Sequence, residues 1–169
     1  MKQLFLISII FSFSHLFAQT TKQECLKVKG ITTDGRLYST SRLANVIINI
    51  YQFNDKIGTY QSDAKGNFEF EIEMNSYIVL EFEKENFFSK RILFDTRNEN
   101  IDYTKNYIPF NFEIMLLEQK KKVNYGDIDF PITRIEYSVE DKEFFYVDKY
   151  TNNMIKKQEK VMARLARLH

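Results

Sequence analysis

Polar and apolar residues alternate strictly along residues 67–73, NFEFEIE. Successive side chains of a strand point to opposite faces, so Phe68, Phe70 and Ile72 share one face and the residues between them share the other. This pattern predicts a strand in a sheet that has one face in the core and one face in water. Residues 77–82 repeat the pattern, with the even positions expected in the core.

Similar runs of β-branched and aromatic residues, bounded by turn residues, predict seven strands before residue 119. The predicted strands span residues 25–31, 44–53, 56–62, 67–73, 76–84, 87–95 and 110–118. A spacing of about 8 to 12 residues between turns is typical of an all-β sandwich or barrel. The chain contains 16 Phe and no Trp, so Phe, with Ile and Leu, is expected to fill the core. We therefore predict a seven-stranded antiparallel sandwich over residues 25–118.

The turn before the strictly alternating strand contains Asp63, Gly66 and Asn67, which are also typical of a calcium loop. An EF-hand loop that began at Asp63 would place Lys65 at its third position and Met74 at its twelfth, where a bidentate glutamate is needed. Two of the positions that should supply calcium ligands are therefore occupied by residues that cannot bind calcium. We predict that Asp63 and Gly66 reverse the chain and bind no metal.

The composition changes after residue 118. A run of lysines is followed by Gly126 and Pro131, which indicate irregular backbone. Two short apolar runs, residues 132–138 and 143–150, could then form a hairpin or lie across the sandwich. We expect residues 119–169 to form an extension distinct from the sandwich.

The last part of this extension has helical periodicity. Its apolar residues recur at spacings of three, four and seven, and its basic residues lie mostly on the other side. From residue 150 to residue 169 there are five basic residues and one acidic residue, a net charge of plus four. An amphipathic helix of this kind can pack on its own sandwich, lie on an anionic membrane surface or dock into a groove of a partner protein.

Residues 119–137 also resemble an extended peptide able to add a strand to another sheet. Partner binding is therefore expected to involve apolar residues of this segment and of the helix. The candidate partner-binding residues are Phe130, Ile132, Ile135, Tyr137, Met154, Val161, Leu165 and Leu168.

Residues 1–18 have the layout of a secretory signal peptide: a charged start, an apolar middle and a small residue, Ala18, at the expected cleavage point. We expect an exported protein in the periplasm, at the outer membrane or on the cell surface. Cys25 is the single cysteine, so no intrachain disulfide can form. The chain carries 24 basic and 23 acidic residues, so nucleic acid is not an expected partner.

Histidine is too scarce for the common catalytic and zinc sites. The chain has two, of which His15 lies in the predicted signal peptide and His169 is the last residue. Zinc peptidases and Ser-His-Asp sites need histidine inside the fold. Acid–base chemistry could still use the glutamates of residues 67–73 and 76–84, if these two strands are neighbours. However, glutamates that alternate along a strand usually only place charge on its solvent-exposed face. We predict no enzyme, no metal and no cofactor.

Several of these features, in this order, resemble the carboxypeptidase regulatory-like domain, a prealbumin-type β-sandwich of about seven strands. They are a Gly-containing first strand, an Asp-Gly turn, a small residue before a valine-rich strand, an Asp-x-x-Gly-x-Phe hairpin and an aromatic turn. The residues in those places are Gly30, Asp34, Gly35, Ala44, Val46, Asp63, Gly66, Phe68 and Phe88. The resemblance implies a prealbumin-like sandwich that binds or scaffolds. Together with the signal ending FAQ, it implies a secreted protein of Bacteroidetes-type bacteria.

We therefore expect a non-catalytic interaction or scaffold module, an accessory subunit of an outer-membrane assembly such as a secretion or gliding-type machinery. Its partner would be a larger envelope protein or complex, and any membrane association would be indirect, through that partner. The alternative is a small secreted carbohydrate- or peptide-binding domain, in which Tyr103 and Tyr107 would stack on sugar rings.

Overall fold

The computed structural model describes residues 25–36, 41–103, 105 and 107–168. These residues form nine strands and a long C-terminal helix. Helix α1 spans Asp148–Ala166, and a short 3-10 turn spans Gly126–Ile128. The predicted signal peptide, residues 1–18, lies outside the described residues. The strands are β1 (Cys25–Asp34), β2 (Ile47–Gln52), β3 (Asp55–Gln61), β4 (Asn67–Glu73), β5 (Tyr77–Glu83), β6 (Lys90–Asp95), β7 (Phe110–Leu116), β8 (Pro131–Ser138) and β9 (Glu143–Tyr146).

The strands form a smaller sheet in the order β4-β1-β7 and a larger sheet in the order β3-β2-β5-β6-β8-β9. All seven predicted strands are present, with ends that differ by up to three residues. The predicted seven-stranded antiparallel arrangement is wrong in two respects. The described part of the chain has nine strands, and β1 with β7 and β6 with β8 pair in parallel. Other strands separate the two members of each parallel pair along the chain, so no hairpin turn joins them and they are not forced to run antiparallel.

Side chains from both sheets meet in one core, so the protein is a β-sandwich. Phe68 and Phe112 belong to the smaller sheet and Phe82 belongs to the larger sheet. The ring centroids of Phe68 and Phe82 are 5.5 Å apart, and those of Phe82 and Phe112 are 6.0 Å apart. Tilted and edge-on contacts are favourable because the positive edge of one ring meets the negative face of another. The predicted core of Phe, Ile and Leu is confirmed.

The turn between β3 and β4 is closed by Asp63. Its Oδ1 accepts hydrogen bonds from the backbone N–H groups of Lys65 and Asn67, each at 2.8 Å, and its Oδ2 accepts one from the side-chain amide of Asn67 at 2.8 Å. These bonds, with the side chain of Asn67 first, lower the pKa of Asp63. Gly66 supplies a φ of +74°, which glycine adopts without steric cost. The prediction that Asp63 is a turn residue is confirmed.

Residues of the predicted extension complete the larger sheet. β8 pairs with β6 in parallel and β9 pairs with β8 antiparallel, so the first apolar run and residues 143–146 of the second form a hairpin, whereas residues 148–150 begin α1. Ile135 of β8 is fully buried among the core residues of the sandwich. The boundary after residue 118 stays a prediction, and deletion of the extension would test it.

Helix α1 packs on its own chain. Met154, Val161 and Leu165 are buried in a second apolar cluster. The other buried members of this cluster are Leu117, Val123, Tyr125 and Ile128. The amphipathic pattern thus covers the end of β7 and the segment that follows it. No helix in the described part of the chain is both long and apolar enough to cross a membrane.

Candidate binding surfaces

The two glutamate-rich strands do not form a pair of facing carboxylates. β4 lies in the smaller sheet and β5 lies in the larger sheet, so their outward side chains are on opposite sides of the sandwich. Glu69 of β4 is exposed and lies 3.1 Å from Lys27 Nζ. Glu81 of β5 is different, because only 6% of this residue is exposed. It contributes to a pocket on the outer face of the larger sheet.

This outer-face pocket has a volume of about 660 Å³. Alternate positions of β2, β5 and β6 point away from the core and form most of its surface. The turn after β2 and the start of β8 complete it. Its lining residues are Tyr51, Phe53, Asn54, Tyr77, Val79, Glu81, Arg91 and Pro131.

An ion pair forms the floor of the outer-face pocket. Glu81 and Arg91 are directly opposite each other in the register of β5 and β6, and Arg91 Nε and Nη2 lie 2.8 Å and 2.7 Å from Glu81 Oε1. The hydroxyl of Tyr51 donates to Glu81 Oε2 at 3.1 Å, and Arg91 Nη1 lies 3.2 Å from Asp129 Oδ1. Burial and the nearby Glu81 raise the pKa of Tyr51, so its hydroxyl remains a donor. The floor is a connected and preorganised polar network.

An exposed aromatic residue stands at the rim of the same pocket. Phe53 and Asn54 form the two-residue turn between β2 and β3, with φ values of 49° and 72°. Such turns favour Asn-Gly, because a bulky side chain is strained at positive φ. Phe53 is nevertheless 71% exposed. Tyr77 also lines this pocket, and the guanidinium carbon of Arg97 lies 4.7 Å from its ring centroid, so Arg97 covers one face of that ring.

A second surface lies where β7 and β9 end their sheets, and we call it the edge groove. In the described part of the chain, each of these strands has a single strand neighbour. Aromatic contacts bridge the two edges: Phe110 and Tyr146 have ring centroids 5.2 Å apart, and Tyr107 and Phe144 have centroids 5.5 Å apart. The groove has a volume of about 290 Å³ and is lined by Tyr107, Ile108, Pro109, Phe110, Asn111, Asp141, Lys142, Glu143 and Phe144.

The candidate partner-binding residues separate into buried and exposed groups. Ile132 and Tyr137 are half-buried and pack against the main core. Phe130 and Leu168 are exposed, at 59% and 47%. The remaining residues are at most 4% exposed and belong to the protein's own interior, not to a surface: Ile135, Met154, Val161 and Leu165. The spacing of these apolar residues predicts that one face is buried, but it does not show whether the protein itself or a partner buries that face.

The two tyrosines expected to stack on sugar rings are used inside the structure. The hydroxyl of Tyr103 donates to the carbonyl of Asn98 at 3.2 Å. The ring of Tyr107 packs edge-on against Tyr137 and Phe144, at centroid distances of 5.7 Å and 5.5 Å. Burial, followed by the hydrogen bond to Tyr137, raises the pKa of Tyr107 to about 12. Both tyrosines are half-buried and pack against the main core.

Sequence reasoning missed the outer-face pocket. The sequence does contain one indication of this pocket: Tyr51 and Tyr77 occupy strand positions that face away from the core. Such positions usually carry short polar or charged residues when they serve only solubility. Pro131 and Asp129 carry no such signal, because β8 comes beside β6 only in the folded sheet.

No family model matches the chain, and no curated protein matches it. Among solved structures, the 3-chlorocatechol 1,2-dioxygenase of Rhodococcus opacus 1CP aligns with a TM-score of 0.42 and 13% identity, over 60% of this chain and 62% of that chain. The dioxygenase domain of a dioxygenase carbohydrate-binding protein fusion from Streptomyces sp. SirexAA-E gives 0.40 and 14%, over 60% and 84%. The pilus 2b backbone protein of group B streptococcus gives 0.35 and 11%, over 56% and 42%. Overlaps of this size assign neither a family nor an activity.

Proposed function

We propose that the protein is a non-catalytic interaction module of the cell envelope, an accessory subunit of a larger outer-membrane assembly such as a secretion or gliding-type machinery. The observation that carries this proposal is the edge groove, where two sheet edges and several exposed apolar residues meet. The signal-like residues 1–18 support export. The proposed partner is a larger envelope protein, and contact with the membrane is indirect, through that partner.

Strand addition at β9 is the proposed mode of binding. Edge strands expose unpaired N–H and C=O groups, and proteins usually protect them with proline, charge or bulges. β9 reads EFFY, with one charged residue and no proline. Phe145 and Tyr146 are 39% and 36% exposed. An extended segment of the partner would pair with the backbone of β9 and cover these rings.

The surroundings of β9 add apolar contact area. Ile108 is 83% exposed and Val139, in the turn after β8, is 51% exposed. The groove is rimmed by charged residues, since Asp141, Lys142 and Glu143 contribute to its lining. Exposed apolar residues with a polar rim are typical of a protein interaction site.

We further propose that the sandwich belongs to the carboxypeptidase regulatory-like family, with a prealbumin-like arrangement. Two positions that carry the resemblance have a physical need for glycine. A Cβ on Gly30 would lie 1.9 Å from the carbonyl oxygen of Phe112, and Gly66 has a φ of +74°. The need for glycine at both positions supports the family proposal.

Site-specific photo-crosslinking tests the interaction proposal. The full-length protein would carry a photoreactive phenylalanine at position 108 or 145 in the cells that produce it, and the complex would be extracted in mild detergent. We expect both positions to crosslink to the same envelope protein in a stoichiometric complex. Position 57 is the control, because Ile57 is 53% exposed on β3, at the opposite edge of the larger sheet.

Hydrogen exchange tests strand addition separately from partner binding as such. Backbone amides of β9 should exchange hydrogen more slowly in the complex than in the isolated protein. Phe145→Glu should abolish co-purification of the partner, and Ile57→Glu should leave it unchanged. A protein that remains alone in mild detergent, or that crosslinks equally from position 57, would contradict the proposal.

A further inference from the structure

We propose that the outer-face pocket is a second binding site, for a neutral carbohydrate chain. Phe53 and Tyr77 stack on sugar rings, and the Glu81–Arg91 pair binds their hydroxyl groups. This site lies on the face of the larger sheet and does not depend on the edge groove. It replaces Tyr103 and Tyr107 as the place where a sugar would bind.

The backbone at Phe53 is the first argument. The two-residue turn requires positive φ, but a phenylalanine is strained there, and residues strained in this way cluster at functional sites. The side chain gains little burial in return, since it is 71% exposed. A flat apolar ring held in water at the rim of a pocket suits a ligand that itself has flat apolar faces. Sugar rings have such faces, formed by their C–H groups.

The polar floor is the second argument. Glu81 and Arg91 neutralise each other, the hydroxyl of Tyr51 donates to Glu81, and the more exposed Asp129 adds one negative charge beside Arg91, which disfavours anions. A charged ligand would have to compete with this pair, whereas a neutral ligand with hydroxyl groups adds hydrogen bonds to it. Carboxylate oxygens accept more than one hydrogen bond, and the guanidinium has five N–H donors. The floor therefore favours a neutral, polyhydroxylated ligand.

The position of the pocket within the sheet is the third argument. β2, β5 and β6 each have a strand neighbour on both sides, so their backbone groups are already paired. An extended peptide binds best where it can pair with an open edge, and none is present under the pocket. Recognition here must use side chains alone. The volume of about 660 Å³ is within the usual range of ligand pockets, about 300–1,000 Å³.

Calorimetric titration of the full chain with neutral hexasaccharides tests this proposal. The probes are cellohexaose, maltohexaose, chitohexaose and mannohexaose. We expect at least one of them to bind, and we expect Phe53→Ala and Tyr77→Ala each to weaken that binding by about tenfold or more. Thermal melting would confirm that both variants are folded.

Phe145→Ala is the matched control, because Phe145 is an exposed aromatic residue of the edge strand β9, at 39% exposure. It should leave carbohydrate binding unchanged while it weakens partner capture, so the two proposals can fail separately. Binding to none of the hexasaccharides would overturn the proposal. Binding that neither Phe53→Ala nor Tyr77→Ala alters would also overturn it.

Discussion

The side-chain amine of Lys90 on β6 donates a hydrogen bond to the side-chain carbonyl of Gln158 on α1, a residue 68 positions further along the chain. Lys90 is 2% exposed, and burial lowers its pKa from 10.5 to about 7. The bond joins the larger sheet to the helix.

Stability should rise with pH above neutrality. Between the folded pKa of about 7 and the ordinary value of 10.5, the unfolded chain binds more protons at Lys90 than the folded chain does. The free energy of unfolding therefore increases with pH through this range, and the full cost of the buried charge is present below about pH 7. Denaturant unfolding between about pH 6 and about pH 9 measures the slope.

Lys90→Met removes the titrating group and should flatten this dependence. The variant should be more stable than the natural protein at the acidic end, by up to a few kcal/mol, because no charge is buried. The double variant Lys90→Met with Gln158→Leu is the control, because it also removes the side-chain carbonyl of Gln158, which the single substitution would leave without its donor. Parallel pH profiles for the natural protein and the double variant would show that Lys90 is not the cause.

Gly30→Ala should destabilise the sandwich by about 3 kcal/mol or more. The new Cβ would lie 1.9 Å from Phe112 O and 2.8 Å from Phe68 Cζ. β1 is paired on both sides, so its backbone cannot move away. Gly58→Ala is the control, since its nearest neighbour would be Ile50 Cδ1 at 3.8 Å, and its effect should stay within about 0.5 kcal/mol. Equal melting temperatures for the two variants would contradict the close approach at Gly30.

Leu165→Ala should cost about 2–3 kcal/mol of unfolding free energy, because Leu165 is 4% exposed in the second apolar cluster. Leu168→Ala, on a residue that is 47% exposed, should cost about 0.5 kcal/mol or less. Urea unfolding compares the two. If α1 docked on a partner and not on its own chain, both substitutions would lower the unfolding free energy of the isolated protein by only about 0.5 kcal/mol or less.

Deletion of residues 119–169 should abolish cooperative unfolding. The deletion removes β8, which covers the edge of β6, and it uncovers Leu117, which is fully buried. It also removes Ile135 from the main core. Calorimetric melting of residues 25–118 checks this expectation. A cooperative transition in the shortened chain would instead support an independent domain that ends at residue 118.

Local patterns in the sequence predicted the strands well. The alternation of residues 67–73 is confirmed, with Phe68, Phe70 and Ile72 buried between exposed or half-buried neighbours. The turn at Asp63 is also confirmed, because the hydrogen bonds of its side chain reach residues 65 and 67, within the turn itself. Features that depend on a few consecutive residues can be predicted, since strand geometry and turn chemistry act over that distance.

The sequence by itself determined the strand-rich core and the apolar face of the C-terminal helix. Only the tertiary structure decided that β8 joins β6, that α1 packs on its own chain, and that Tyr51, Glu81 and Asp129 meet around Arg91. The physical reason is that an apolar period specifies a face to be buried but not the surface that buries it. That choice depends on which sheet edges and faces remain open once the rest of the chain has folded.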